Sequence, residues 1–223
     1  MNFATLTGLT ISAFLLINHT ALAQLTYKPP TNRKQQQQAQ SATTRGCGKE
    51  SAQLRVLAPS DRVAVTVSAE PTFLIYVSRK PNYPLEISLT RPYVTQTLWK
   101  STQIIEREGI FRVTLPESLK LEENIDYILT AALPCALNNP DSSVFVRVVF
   151  QKISLSDKNR SQASSNLVGT QERQFDSKQG EFLAANGIWY DALFWSYKNS
   201  PSDFQSLLNQ GGIQLNTGEK QQN

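Results

Sequence analysis

Val63-Ala64-Val65-Thr66-Val67 and, after a Glu70-Pro71 break, Phe73-Leu74-Ile75-Tyr76-Val77 decide the fold of this chain. In the first run valine alternates with smaller or polar residues, the two-residue period of a strand with one face buried. The second is apolar at both parities and rich in β-branched and aromatic side chains, which marks a central strand covered on both faces. Working outward, Leu54-Arg55-Val56-Leu57 runs into the turn signal Pro59-Ser60-Asp61 on the N-terminal side. On the C-terminal side Leu85, Ile87 and Leu89 alternate with Glu86, Ser88 and Thr90. A run around Trp99, then Ile110-Phe111-Arg112-Val113, and apolar segments at 127–133 and 144–150 close the series. Seven or eight short strands with turn residues between them and no intervening helical pattern exclude βαβ units. They predict an immunoglobulin-like antiparallel β-sandwich over residues 47–153, with strand order left open.

Beyond it the pattern changes. Residues 154–175 are polar, contain Asp157-Lys158-Asn159-Arg160 and several serines, and read as a linker. Residues 176–213 read as a helical segment: a first helix capped by Asp176 or Ser177 and stopped at Gly187, a second over 188–198, and a third opened by Ser200-Pro201-Ser202-Asp203 and ended by Gly211. Residues 214–223 read as a disordered tail. Five of the 20 aromatic residues, Trp189, Tyr190, Phe194, Trp195 and Tyr197, crowd into the second helix. At about 100° per residue its apolar positions sweep roughly 240° of the circumference, far beyond the stripe of about 100° that a surface helix needs. Trp189, Tyr190, Asp191, Phe194 and Trp195 are therefore the candidate site residues, as core or as interface. One side of the helix should pack on the sandwich. The other should meet either the third helix, around Phe204, Leu207 and Leu208, or a partner chain.

The N-terminal residues indicate a compartment. An apolar run at 9–17 followed by Ala21-Leu22-Ala23 reads as a secretory signal peptide over residues 1–23, too short to span a bilayer. The only histidine, His19, lies inside it, so the mature chain should carry no imidazole. That excludes Ser-His-Asp and Cys-His nucleophiles, histidine-ligated metals and a histidine pH switch. Residues 24–46 hold Lys28, Arg33, Lys34 and Arg45 without an acid, together with Pro29-Pro30 and a Gln35-Gln36-Gln37-Gln38 tract, and read as a disordered basic linker. The formal charge of +4 resides there, because residues 47–223 balance 18 basic against 18 acidic side chains. No basic stripe remains on the folded part for nucleic acid.

Cys47 and Cys135 are the only thiols, and in an oxidising compartment they should form a disulfide. Gly46-Cys47-Gly48-Lys49 lacks the spacing of a phosphate loop, and no S-x-x-K occurs. The remaining catalytic possibility is a carboxylate pair, with Glu106 and Glu108 on one strand face or Glu122, Glu123 and Asp126 in an acidic turn.

The segment Gly187-Ile188-Trp189-Tyr190-Asp191-Ala192-Leu193 preceded by Ala184-Ala185, with Cys47, Pro71-Thr72-Phe73 and Leu133-Pro134-Cys135, resembles the cyanobacterial family called domain of unknown function 928. The resemblance spans most of residues 45–213. It implies an exported cyanobacterial protein and brings no activity, cofactor or catalytic residue. Phe194-Trp195-Ser196-Tyr197 is more aromatic than the family pattern. The expectation is a periplasmic or secreted, non-catalytic interaction or structural module of the bacterial cell envelope, without a cofactor or a transmembrane span. Its partner would be an envelope protein or a cell-wall polymer. The alternative is an envelope enzyme acting on polysaccharide or peptidoglycan through paired carboxylates.

Overall fold

The computed structural model describes residues 25–30, 34–36, 39–40, 47, 51–136, 142–155 and 172–215, of which 39–40 and 172–177 are described by backbone alone. Nine strands are present among them: β1 (Ala39–Gln40), β2 (Leu54–Val56), β3 (Ala64–Thr66), β4 (Thr72–Val77), β5 (Leu85–Thr90), β6 (Trp99–Gln103), β7 (Gly109–Thr114), β8 (Asp126–Pro134) and β9 (Ser143–Lys152). Three helices follow, α1 (Glu172–Ala185), α2 (Trp189–Asn199) and α3 (Pro201–Gln210).

The strands form two sheets, one ordered β1-β9-β8-β5-β6 with β3 also on β9, the other β2-β4-β7. The molecule is mainly β with a helical C-terminus, as the alternation requires. On β5 and β8 every second residue is buried, with Leu85, Ile87 and Leu89 facing the same interior as Tyr127, Leu129, Ala131 and Leu133. Burial of each large side chain contributes about 1.5 to 3 kcal/mol. The two sheets meet through Phe73 of β4 and Phe150 of β9, whose rings touch edge to face at 4.7 Å.

One pairing departs from the antiparallel expectation: β3 runs parallel to β9, with Val65 opposite Gln151. β2 and β3 are successive pieces of one edge segment that changes sheets at the Pro59-Ser60-Asp61 turn. It lies antiparallel to β4 in one sheet and parallel to β9 in the other.

Within residues 24–46, expected to be a disordered linker, the described residues make defined contacts with the fold. Leu25 and Tyr27 are buried. The Leu25 and Tyr27 amides donate to Asp203 Oδ1 (3.1 Å) and Gln210 Oε1 (2.7 Å), and Lys28 N donates to the Ala184 carbonyl (3.0 Å). Gln36 does what a strand residue would do: its amide accepts from Val149 N (2.9 Å) and donates to Val149 O (3.1 Å). It fills the gap on the edge of β9 between the stretches covered by β1 and β3. A glutamine side chain carries the same donor and acceptor as a peptide group, so a polar tract can satisfy a sheet edge without apolar residues.

α1 begins at Glu172 rather than at Asp176 or Ser177, because Glu172-Arg173-Gln174 are favourable helix formers that extend it past the expected cap. The rest of the expected 154–175 linker, residues 156–171, lies outside the described residues, as do the signal-peptide segment and residues 216–223 of the tail. Helix ends follow the sequence signals closely. Gly187 (φ +70°) closes α1, with Gly187 N on Ala184 O and Ile188 N on Leu183 O, and its Cβ would collide with Pro30 and the Lys28 carbonyl. Ser200 caps α3 through the Asp203 amide. The left-handed residue ending α3 is Gly212 (φ +67°), one beyond Gly211.

Candidate functional site

The aromatic helix α2 lies between the sheets and the other helices, touching β3 and β4 on one side and α1 and α3 on the other. Trp189 is fully buried; its indole N–H donates to the Leu57 carbonyl at 3.0 Å and its ring meets Tyr27 edge to face at 4.9 Å. Gly211 lies flat against the same indole, where any side chain would overlap the ring. Tyr190 is buried against Phe73 at 4.6 Å and Phe150 at 6.1 Å. Its hydroxyl has no partner among the described residues, and desolvation raises its pKa above that of an ordinary phenol. Phe194 is half-buried beneath the Lys198 ammonium at 5.7 Å. Trp195 is half-buried over Gly180, where a Cβ would overlap the ring. Leu207 and Leu208 of α3 are buried, and Tyr197 meets Phe204 at 5.3 Å. Of the two options left open by the sequence, the third helix covers the outer side of α2.

Asp191 stands in the first turn of α2, where the helix dipole favours an acid. Its carboxylate accepts from the Val67 amide at 3.2 Å and also takes hydrogen bonds from the Thr66 hydroxyl and the Ser68 amide, tying the helix to the end of β3. Burial pushes its pKa up to about 6, against the opposing effect of those hydrogen bonds. An unfolded aspartate titrates near 4, so between about pH 4 and 6 the native state binds more protons than the unfolded state. The stability this group contributes is present below that window and falls as pH rises through it. The loss is on the order of 2 kcal/mol, allowing for the residue's partial exposure. Asp191→Asn should flatten this segment of a melting-temperature profile taken from pH 3.5 to 7.5, and an unchanged slope would contradict the assignment.

The disulfide between Cys47 and Cys135 is formed, with Cα atoms 5.2 Å apart. It borders a cleft of about 360 Å³ whose other walls include Ser51, Arg79, Lys80, Asn82 and Tyr83. The carboxylates are not brought together. β6 ends at Gln103 and β7 begins at Gly109, so Glu106 and Glu108 occupy an exposed turn rather than one strand face. The run of charge there, Glu106-Arg107-Glu108, favours the solvated turn over an extended pair. Glu122 pairs with Arg91, whose pKa is raised by that carboxylate and by the Tyr127 hydroxyl, and Asp126 pairs with Lys34 at 2.8 Å. Among the described residues no group of three or more His, Cys, Asp or Glu converges.

A second region emerges that the sequence reading did not single out. Five large apolar residues are exposed among those described, and four of them, Tyr93 (107%), Val94 (45%), Leu98 (36%) and Ile104 (76%), lie in the β5–β6 turn or flank β6. The turn is anchored: Leu98 N donates to Leu89 O at 2.8 Å, and Tyr93 holds a left-handed φ of +61°. Among the described residues β6 is the terminal strand of the larger sheet, paired with β5 and no other strand. A signal for this edge does exist in the sequence. In Leu98-Trp99-Lys100-Ser101-Thr102-Gln103-Ile104-Ile105 both parities carry apolar residues at their ends, so one set must face outward.

A two-sheet β domain carrying a three-helix layer and one disulfide is the class that these elements define. The chain belongs to the family described as Domain of Unknown Function (DUF928), whose model matches residues 40–220. No curated protein and no solved structure matches the chain. Among the described residues no helix is long and apolar enough to cross a membrane.

Proposed function

We propose that this protein is an exported, non-catalytic interaction or structural module of the bacterial cell envelope. The observation that carries this reading is the exposure of Tyr93 and Val94 in the β5–β6 turn and of Leu98 and Ile104 at the two ends of β6, along one edge of the larger sheet. Exposed apolar groups along an unpaired, ordered edge favour a surface that a partner covers. The aromatic helix, the other candidate, is spent on the core. The disulfide favours an oxidising compartment, in line with the export segment read at residues 1–23. The strand order β3-β9-β8-β5-β6 facing β2-β4-β7 also favours an immunoglobulin-like scaffold, a frame that commonly presents binding edges and loops. Against the carboxylate-enzyme reading stand the exposed turn that holds Glu106 and Glu108 and the ion pairs that engage Glu122 and Asp126.

Affinity capture from envelope extracts under non-reducing conditions, with wild type and the Tyr93→Ser/Val94→Ser variant side by side, tests it. Wild type should retain a defined envelope protein or cell-wall polymer, and the variant should lose it at an unchanged melting temperature. Turnover of peptidoglycan or polysaccharide by wild type, abolished by Glu106→Gln/Glu108→Gln, would overturn the reading.

A further inference from the structure

We propose that the β6 edge is a self-association surface on which a second copy of this chain adds its own β6, antiparallel, about a two-fold axis through Ser101. The proposal rests on the interaction-module reading and names the partner of that edge. Among the described residues no strand neighbours the outer side of β6, and residues 98–105 contain no proline and one charge, Lys100. Edges of this kind are templates for strand addition unless they are guarded.

The register follows from the sequence of the strand. Residues directly opposite one another in an antiparallel pair point to the same face, so a two-fold axis relating two such strands must pass through a residue position. With the axis at Ser101, Leu98 of each copy stands opposite Ile104 of the other, and both exposed apolar side chains are covered. In the same register Lys100 stands opposite Thr102 and Trp99 opposite Gln103. Moving the axis to Lys100 sets that lysine against its own copy and leaves Leu98 facing Thr102. Moving it to Thr102 sets Leu98 against Glu106 and Ile104 against Lys100. Of these three registers, the one at Ser101 pairs both apolar residues and sets the lysines diagonally rather than directly opposite each other. A patch complementary to itself under a two-fold axis is what a closed dimer requires.

Sedimentation equilibrium of the mature chain from about 1 to 200 μM should give a mass rising from one copy to two. Ile104→Lys, at a site exposed enough to tolerate it, should raise the dimer dissociation constant at least about tenfold with no change in the melting curve of the dilute protein. Leu98→Glu mixed with Ile104→Lys should restore a heterodimer, because the register sets the two new charges opposite each other. Ser101→Cys should form a covalent dimer under mild oxidation, whereas Lys100→Cys should not. A single-copy mass at every concentration, or equal crosslinking of the two cysteine variants, would overturn the proposal. So would loss of envelope capture in the Ile104→Lys variant of a chain that is always monomeric, which would assign the edge to a different protein. The Tyr93→Ser/Val94→Ser variant separates this from the broader reading: it should still dimerise whether or not it retains an envelope partner.

Discussion

Replacing Trp189 with alanine is expected to lower the unfolding free energy by about 3 to 5 kcal/mol, the range for deleting a buried aromatic side chain. Three contacts are lost together. The indole fills the space between Tyr27 and Gly211, so its removal leaves a cavity that neither the buried ring nor the glycine can close. The Leu57 carbonyl loses the donor at 3.0 Å, and an acceptor left unpaired in the interior costs about 1 to 3 kcal/mol. The N-terminal segment loses the ring on which Tyr27 rests. Urea denaturation followed by circular dichroism measures the total. Trp189→Phe helps to separate its parts, because it removes the hydrogen bond while keeping much of the apolar contact. A Trp189→Ala variant within about 1 kcal/mol of wild type would refute the placement of this helix in the core.

Breaking the disulfide should have an effect of similar size by another route. Cys47 and Cys135 are 88 residues apart in sequence, and closing a loop of that length constrains the unfolded chain by roughly 4 to 5 kcal/mol in the chain-entropy account. The Cys47→Ser/Cys135→Ser variant should therefore unfold at much lower denaturant while its native circular dichroism spectrum stays close to wild type. An equal midpoint for wild type and variant would show that the bridge contributes nothing to stability. Applying both changes, Trp189→Ala and loss of the bridge, should be close to additive, since one acts chiefly on the native core and the other on the unfolded chain.

What was legible in the sequence is what local periodicity and capping encode. The alternation at Leu85, Ile87 and Leu89 placed β5, and the cap at Ser200 with Pro201 placed α3 to the residue. The excess apolar arc of α2 anticipated its burial on two sides, and the two thiols anticipated their bond. Pairings between distant segments carry no such signal. Nothing within Ala64-Val65-Thr66 says that its neighbour will be β9 or that the two will run parallel. At the N-terminal segment a mean composition over a Gln-rich stretch hides Leu25 and Tyr27 and treats an amide side chain as solvated when it can complete a sheet edge. Glu106 and Glu108 were given a strand that ends at Gln103, an error at an element boundary, where sequence patterns are weakest. The exposed edge was missed for a related reason: an apolar residue in a strand pattern is read as inward, and with apolar residues on both parities of 98–105 the local pattern does not say which set, here that of Leu98 and Ile104, faces solvent.

Leu25 and Tyr27 reach partners 178 and 183 positions later in the chain, at Asp203 and Gln210. This latch sets an order of events for any chain delivered N-terminus first. Both sheets can assemble while α3 is still to come, and Tyr27 and Lys28 can already meet Trp189 and the Ala184 carbonyl. The Leu25 and Tyr27 amides, however, lack Asp203 and Gln210 until α3 arrives. Contacts of such separation form late, because the entropy of closing the loop must be met before they return anything. A chain still lacking α3 therefore leaves the start of the N-terminal segment unlatched. The latch thus couples the order of the N-terminal segment to that of the last helix, so that loosening either one loosens both.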